Sequence, residues 1–321
     1  MRFLSCVIAA VCANTVWAAD LVLYTSQPNE DAQQTVDAFN KAHPDIEVEW
    51  VRDGTTKLMA KLQAELQSGV VNPDVLLIAD AVTMEALKQD DRLAPYQSAE
   101  AEAYDESLYD AEGYYYGTKL ITTGLVYNNR AAEQPAAWQD LTKPEYDNLI
   151  AMPSPLYSGA ALITLSTLTS NPKLGWDYYQ ALADNHAAAQ GGNGGVLKDV
   201  SAGSKAYGVI VDYLAIREAQ KGAPITFVFP QEGGTAVTEP VAIMKDAKHR
   251  GAAEKFVDFL LSQDGQALVL SQGYLPARED LGVPEGFPAR DQIKLMPFDA
   301  AAALENSEAD KQRFGEIFST Q

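Results

Sequence analysis

Apolar residues fall along this chain in short runs that alternate between two spacings. Residues 21–24, LVLY, form a run of strand length that stops at Thr25-Ser26-Gln27-Pro28, and residues 29–42 then place Ala32, Val36 and Phe39 at helical intervals. Residues 46–50 alternate strictly between apolar and acidic, which predicts a strand with one buried face. After Arg52-Asp53-Gly54-Thr55-Thr56, leucines at 58, 62 and 66 restore the helical period, and residues 75–78, VLLI, are apolar on both faces as in a buried parallel strand. Three strands with helices between them predict an α/β unit with a mostly parallel sheet. Ligands in such sheets sit beyond the carboxyl ends of the strands, where Thr25-Ser26 and Thr55-Thr56 fall.

The pattern continues with residues 118–127, TKLITTGLVY, a strand long enough to pass from one lobe to another. Residues 138–146 read as irregular helix and turn. In residues 150–168, IAMPSPLYSGAALITLSTL, a short apolar run passes through two prolines into Ser158-Gly159-Ala160 and then a helix-like segment. That layout offers free backbone N–H groups, the positive end of a helix dipole and serine hydroxyls to one point, which suits an anion. The same residues also serve as plain caps and turns. A helix is expected over 174–185, a loop over 190–195 (QGGNGG) and a short helical piece over 196–200. The loop has four glycines, but with no strand before it and no Lys-Ser or Lys-Thr after it, it is no nucleotide loop; a binding loop and a linker both remain open. A strand over 206–211 yields at Asp212 to a helix over 213–220. Further strands are expected at 225–230 and 241–244, and a helix over 252–270 interrupted at Asp264-Gly265.

Composition sharpens this picture. With 321 residues, 47% apolar and 21% charged, the chain can fill two globular lobes. Arg2, the apolar residues 3–13 and Val16-Trp17-Ala18 make residues 1–18 a signal peptide cleaved near Ala18, and an exported, periplasmic product follows. Both cysteines, Cys6 and Cys12, lie in that leader, so disulfides, thiol catalysis and Cys-ligated metals are excluded from the mature chain. The formal charge of −20 disfavours nucleic acid, and an anionic ligand must be captured by local dipoles and hydroxyls rather than by the overall field. His43, His186 and His249 stand in polar, turn-like surroundings without a spaced carboxylate cluster, so no metal site is expected. No nucleophile elbow, phosphate-binding lysine loop or dinucleotide fingerprint is present. The chain reads as a binder rather than an enzyme, with no cofactor.

Taken in order, LVLYTSQPNEDA, RDGTTKLMAKLQAE, NPDVLLIAD, TKLITTGLVYNN, TEPVAIMKDAKH and EKFVDFLLSQDGQALVLSQGYLPA resemble the periplasmic solute-binding proteins of ABC importers, in the branch grouped with ferric-ion-binding proteins. The resemblance covers nearly the whole mature chain. It implies a type II two-lobed α/β fold with a hinge of two crossing strands, here residues 118–127 and 234–244, and a ligand in the cleft. Lobe 1 would comprise residues 19–118 and 240–290, and lobe 2 residues 119–239 and 291–321. It further implies a monomer that delivers a small molecule to a membrane permease.

Ferric members of the branch use a histidine, a glutamate and two adjacent tyrosines. The matching positions here hold Thr25-Ser26-Gln27-Pro28, Gly54-Thr55-Thr56 and Asp212-Tyr213, a poor donor set for ferric iron. The segments YSGAALITLSTLT, AQGGNGGVLKDV and AYGVIVDYLAIRE are instead similar to 2-aminoethylphosphonate-binding relatives. On that resemblance Thr25, Ser26, Thr55, Thr56, Ser158, Gly159 and Ala160 would ring a phosphonate, Asp212 would pair with the ligand's ammonium, and Tyr157, Asn193 and Tyr213 are further candidates. A sugar phosphate or other phosphate ester, ferric iron, and an exported phosphate-ester hydrolase stand as alternatives.

Overall fold

A computed structural model describes residues 20–319. The leader with its two cysteines lies outside the described residues. Two mixed sheets organise the chain, each covered by helices. The first contains β1 (Leu21–Thr25), β2 (Val48–Arg52), β3 (Val75–Leu77), β4 (Leu93–Ala94), β5 (Tyr115–Gly117) and, returning late in the chain, β12 (Pro240–Met244). Its order is β2-β1-β3-β12-β4, with β1 parallel to β2 and β3 and with β5 paired to β12. The second contains β6 (Lys119–Asn128), β7 (Ile150–Met152), β8 (Ala188–Ala189), β9 (Tyr207–Val211), β10 (Ile225–Val228), β11 (Thr235–Val237) and β13 (Leu275–Pro276), in the order β10-β6-β9-β7-β8 with β11 and β13 on β6.

Helices α1 (Asn29–Ala42), α2 (Thr55–Ser68) and α3 (Ala81–Gln89) follow β1, β2 and β3. In the second lobe α4 (Gly159–Ser170) and α5 (Gly175–Asp184) lie between β7 and β8, α6 (Asn193–Ala202) follows β8, and α7 (Asp212–Gln220) follows β9. Then come α8 (Arg250–Leu261), α9 (Gln263–Ser271) and α10 (Ala300–Phe318). Sheet alternation sorts the cores. Leu21 and Leu23 join Phe39, Val75 and Phe256 on one face of the first sheet, while Tyr24 and Leu76 join Leu58, Leu62 and Met84 on the other. The second sheet is packed the same way, with Leu125, Ile150 and Tyr207 on one side and Val126, Ala151 and Ile210 on the other. A further cluster, Val82, Ile121, Ile163, Val211, Val237 and Tyr274, takes residues from both lobes.

The chain passes between the sheets from Gly117 to Lys119 and from Val237 to Pro240, and returns to the second sheet once more at β13. The first two of these passages are the crossings. These crossings are bonded to each other: Thr118 donates from its N–H to Thr238 O at 3.0 Å and from Oγ1 to Glu239 O at 2.8 Å. Gln266 on α9 fixes the same point, donating from Nε2 to Thr118 O at 2.7 Å and to Leu260 O at 2.8 Å. Leu275-Pro276 also reaches the crossing, where β13 pairs with Leu120 and Lys119 at the start of β6.

Three local expectations shift. The strand predicted over 46–50 starts at Val48 and runs to Arg52; Ile46 is buried in the preceding loop, so its side chain follows the apolar alternation before its backbone joins the sheet. The helix over 252–270 breaks at Ser262 rather than at Asp264-Gly265, because the extended Ser262 backbone ends α8 and its Oγ accepts from Gly265 N at 3.2 Å to cap α9. The glycine loop has a short strand before it, β8, and the helix begins inside it at Asn193, with extended Gly192 as its N-cap.

Candidate functional site

A cleft of about 400 Å³ opens between the lobes at the carboxyl ends of the parallel strands. Its geometry follows from chain direction, since each strand that points at the cleft hands over to a helix that starts there. Five helices, α1, α2, α4, α6 and α7, line it with their first or capping residues, represented by Pro28, Thr55, Gly159, Asn193 and Val211. The first N–H groups of a helix lack intrahelical acceptors and carry the positive end of its dipole. Ala161 N is taken by Ser158 Oγ at 3.3 Å and Tyr213 N by Asp212 Oδ1 at 2.6 Å, but among the described residues no backbone acceptor engages the N–H of Thr55, Gly159 or Asn193.

The hydroxyls fit the same chemistry. Ser26 Oγ accepts from Ala79 N at 2.9 Å, and Ser158 Oγ accepts the cap bond, so each hydroxyl keeps its proton to donate into the cleft. Asn193 accepts from Val211 N at 3.1 Å through Oδ1, which ties α6 to the start of α7 and turns the amide's donor end outward from that bond. Arg52, at the carboxyl end of β2, is exposed and donates from Nε to Gln27 O at 2.7 Å; among the described residues its guanidinium makes no ion pair. A cation without an ion-pair partner among the described residues, beside open helix N-termini, gives this end of the cleft chemistry that suits an anion.

The lobes touch across the cleft. Thr56 Oγ1 donates to Tyr157 O at 3.1 Å, and the Tyr157 ring lies 3.3 Å from where a Cβ on Gly54 would stand and 3.0 Å from the equivalent point on Gly192. Gly159 approaches the other lobe so closely that a Cβ there would stand 2.7 Å from Ala79 O and 2.9 Å from Asp80 Cβ. Glycine is required for close approach at 159, where a Cβ would meet backbone of the other lobe, whereas at 54 only the end of the Tyr157 side chain would have to yield.

Of the residues singled out in the sequence, Ser26, Thr55, Tyr157, Ser158, Gly159, Ala160, Asn193 and Tyr213 line one cleft. Three others do not. Thr25 is fully buried, and its Oγ1 accepts from Gln27 N at 3.1 Å, shaping the turn behind Ser26. Thr56 faces out and bonds the opposite lobe rather than the cavity. Asp212 is buried beneath the cleft, with Oδ2 accepting from Thr122 N at 2.9 Å and Thr122 Oγ1 at 2.7 Å and Oδ1 accepting from Tyr213 N. Its carboxylate is spent in pinning α7 to β6, so the ammonium pairing expected of it has no free oxygen facing a ligand. Burial pushes that carboxyl up to about 7 against the pull of these donors and of Arg217.

Two charged lining residues escaped the sequence reading. Arg52 was hidden because the alternating pattern placed the strand's end at Trp50. Glu239 stands in the second crossing just before Pro240, is almost fully buried, and has a left-handed backbone with φ +40°. An acidic residue outside any helix or strand junction gave no periodic signal. Among the described residues, no group of three or more His, Cys, Asp and Glu is placed to hold a metal ion. Tyr213, the remaining residue of the ferric pattern, has its phenol pushed up by burial and packed 4.3 Å from the Tyr274 ring, so it is held in its neutral form.

A family model described as bacterial extracellular solute-binding protein matches residues 71–303. A curated protein of Haemophilus influenzae, named only as uncharacterized, is 28% identical over 279 residues, which is 79% of this chain and 76% of that one. The periplasmic binding protein AfuA of Actinobacillus pleuropneumoniae, solved with exogenous fructose-6-phosphate bound, superposes with a TM-score of 0.84 at 20% identity, covering 94% of this chain and 99% of that one. Iron-bound HitA of Pseudomonas aeruginosa gives 0.81 at 19% identity, covering 92% and 99%. At these identities the structural likeness is one of fold, and it bears out the two-lobed α/β architecture.

Two outcomes are expected from this geometry. Gly159→Ala forces the lobes apart at Ala79, so ligand affinity drops by roughly tenfold or more while the melting temperature of the ligand-free protein stays close to that of the native chain; unchanged affinity by titration calorimetry would contradict the close approach. For Asp212, a folded-state carboxyl raised to about 7 holds a proton that the unfolded chain has already lost, so its contribution to stability falls as pH rises from about 4 to about 7 and is flat above. Urea midpoints of the native protein and Asp212→Asn, measured in parallel across that window, should diverge in favour of the variant as pH rises; parallel curves would contradict the assignment.

Proposed function

Because the chain belongs to the family of bacterial extracellular solute-binding proteins, we propose that it is a periplasmic receptor that captures a small organophosphorus anion, 2-aminoethylphosphonate or a close aminophosphonate, for an ABC importer. The observation that carries this is the convergence of open helix N-termini with Ser26, Ser158 and the unpaired Arg52 around one cleft. A tetrahedral phosphonate has three oxygens to satisfy, and each must regain in the protein the hydrogen bonds it loses from water. Backbone N–H groups from both lobes supply them only when the lobes are together, so binding and closure are coupled. The amine end of the ligand is supported by the three segments similar to aminoethylphosphonate-binding relatives and by the acid in the cleft wall.

Phosphate esters are a second reading, favoured by the size of the cleft. About 400 Å³ exceeds what a two-carbon aminophosphonate fills and admits a sugar phosphate. Capture of ferric iron is opposed by a lining of hydroxyls and amides with a single carboxylate and a guanidinium, and hydrolysis because, among the described residues, no hydroxyl of the cleft is hydrogen-bonded to a general base.

Titration calorimetry of protein unfolded, stripped of ligand and refolded separates these readings. The series is 2-aminoethylphosphonate, ethylphosphonate, phosphate, glucose 6-phosphate and ferric citrate. The proposal expects the aminophosphonate to bind most tightly. Tightest binding of glucose 6-phosphate would hand the site to the second reading, and binding of ferric citrate alone would overturn both.

A further inference from the structure

We infer that Glu239 is the residue that selects the cationic end of the ligand, which makes the cleft a receptor for a zwitterion, a phosphonate or phosphate joined by a short chain to a primary ammonium. This rests on the reading of the helix starts as an organophosphorus site and adds to it the group that decides among such ligands.

Glu239 lines the cleft and is 2% exposed. Both protein groups that reach its carboxylate meet the same oxygen: Oε2 forms an ion pair with Lys119 Nζ at 2.5 Å and accepts from Gln27 Nε2 at 3.3 Å. Among the described residues, no donor bonds Oε1. A buried carboxylate oxygen costs several kcal/mol unless something solvates it, and here the open partner is the content of the cleft. The backbone is held for the purpose. A left-handed φ at a glutamate is strained and persists only where its surroundings impose it, as the bond from Thr118 Oγ1 to Glu239 O does.

The nearby positive charge does not make Glu239 redundant. Lys119 is as deeply buried and lies 4.2 Å over the Tyr274 ring, beneath the carboxylate rather than in the cleft lining. Gln27 then connects the two poles: its carbonyl oxygen accepts from Arg52 Nε at 2.7 Å, and its side-chain amide donates to Glu239. The cation that meets an anion and the carboxylate that meets an ammonium are therefore separated by one glutamine, a spacing that suits a compact zwitterion. Asp212 and Asp80, which also stand close to the cleft, have both oxygens bonded within the protein and do not compete for this role.

The test uses two matched pairs that differ in the amine, 2-aminoethylphosphonate against ethylphosphonate and glucosamine 6-phosphate against glucose 6-phosphate, titrated into the native protein, Glu239→Gln and Glu239→Asp. In whichever pair the native protein binds, Glu239→Gln should lower affinity for the amine by roughly 10- to 100-fold and leave the partner without an amine within about threefold, with Glu239→Asp retaining part of the preference. Because Glu239→Gln strips Lys119 of its buried counter-charge, the double variant Lys119→Met, Glu239→Gln is titrated as well and should show the same selective loss. Equal losses for both members of a pair, or an undiminished preference for the amine in the double variant, would overturn the inference. Failure of the underlying reading looks different: the native protein would then prefer the ester pair, in which the role of Glu239 is still measured. If it bound neither pair, both would fall.

Discussion

Everything distinctive about this cleft depends on backbone N–H groups left without acceptors at the starts of helices. Secondary structure satisfies peptide groups everywhere except at its ends, and an α/β sheet gathers those ends at one edge. Two such sheets facing each other bring the starts of five helices to one cavity. Neither lobe alone encloses the cavity. Thr55 comes from one side and Gly159 and Asn193 from the other, and the contacts of Thr56 and Gly54 with Tyr157 register the two halves.

That arrangement places unusual demands on the hinge, where charge is buried as well as chain. Lys119 and Glu239 form an ion pair at the crossing, and Asp31 on α1 meets Arg217 on α7 across the lobes at 3.2 Å. Arg217 lies against the packed pair Tyr213 and Tyr274, with its guanidinium 4.7 and 4.5 Å from their ring centres. Buried pairs of this kind contribute little net stability, because desolvation offsets their attraction. They do specify geometry: each charge has one place where it is compensated, and those places coincide when the lobes are closed.

The fold was legible because its signal is repetitive. Apolar runs separated by helical spacing carried α1 without error in its limits and gave β3 and β9 to within one residue, and the long strand over 118–127 anticipated the first crossing. Turn chemistry was harder to place. Ser262 rather than Asp264-Gly265 breaks the late helix, since a cap depends on backbone conformation as well as residue type. Site residues at strand-to-helix junctions, such as Ser26 and Ser158, were visible because position and chemistry coincide there. Asp212 sits at such a junction too, yet its oxygens turn inward to Thr122 ninety residues earlier, a partner that no local pattern announces. Arg52 and Glu239 were missed for the converse reason, being brought to the cleft by sheet register and by the crossing.

The central claim is that one small anion is held by amides contributed from both lobes. Backbone ¹H–¹⁵N spectra of the stripped, refolded protein, recorded during titration with the tightest-binding organophosphorus ligand, test it most directly. The account predicts that the amide protons of Thr55, Gly159 and Asn193 move downfield together and saturate at one equivalent of ligand. If these three resonances stayed in place while others tracked saturation, the ligand would be bound elsewhere and the account would be wrong.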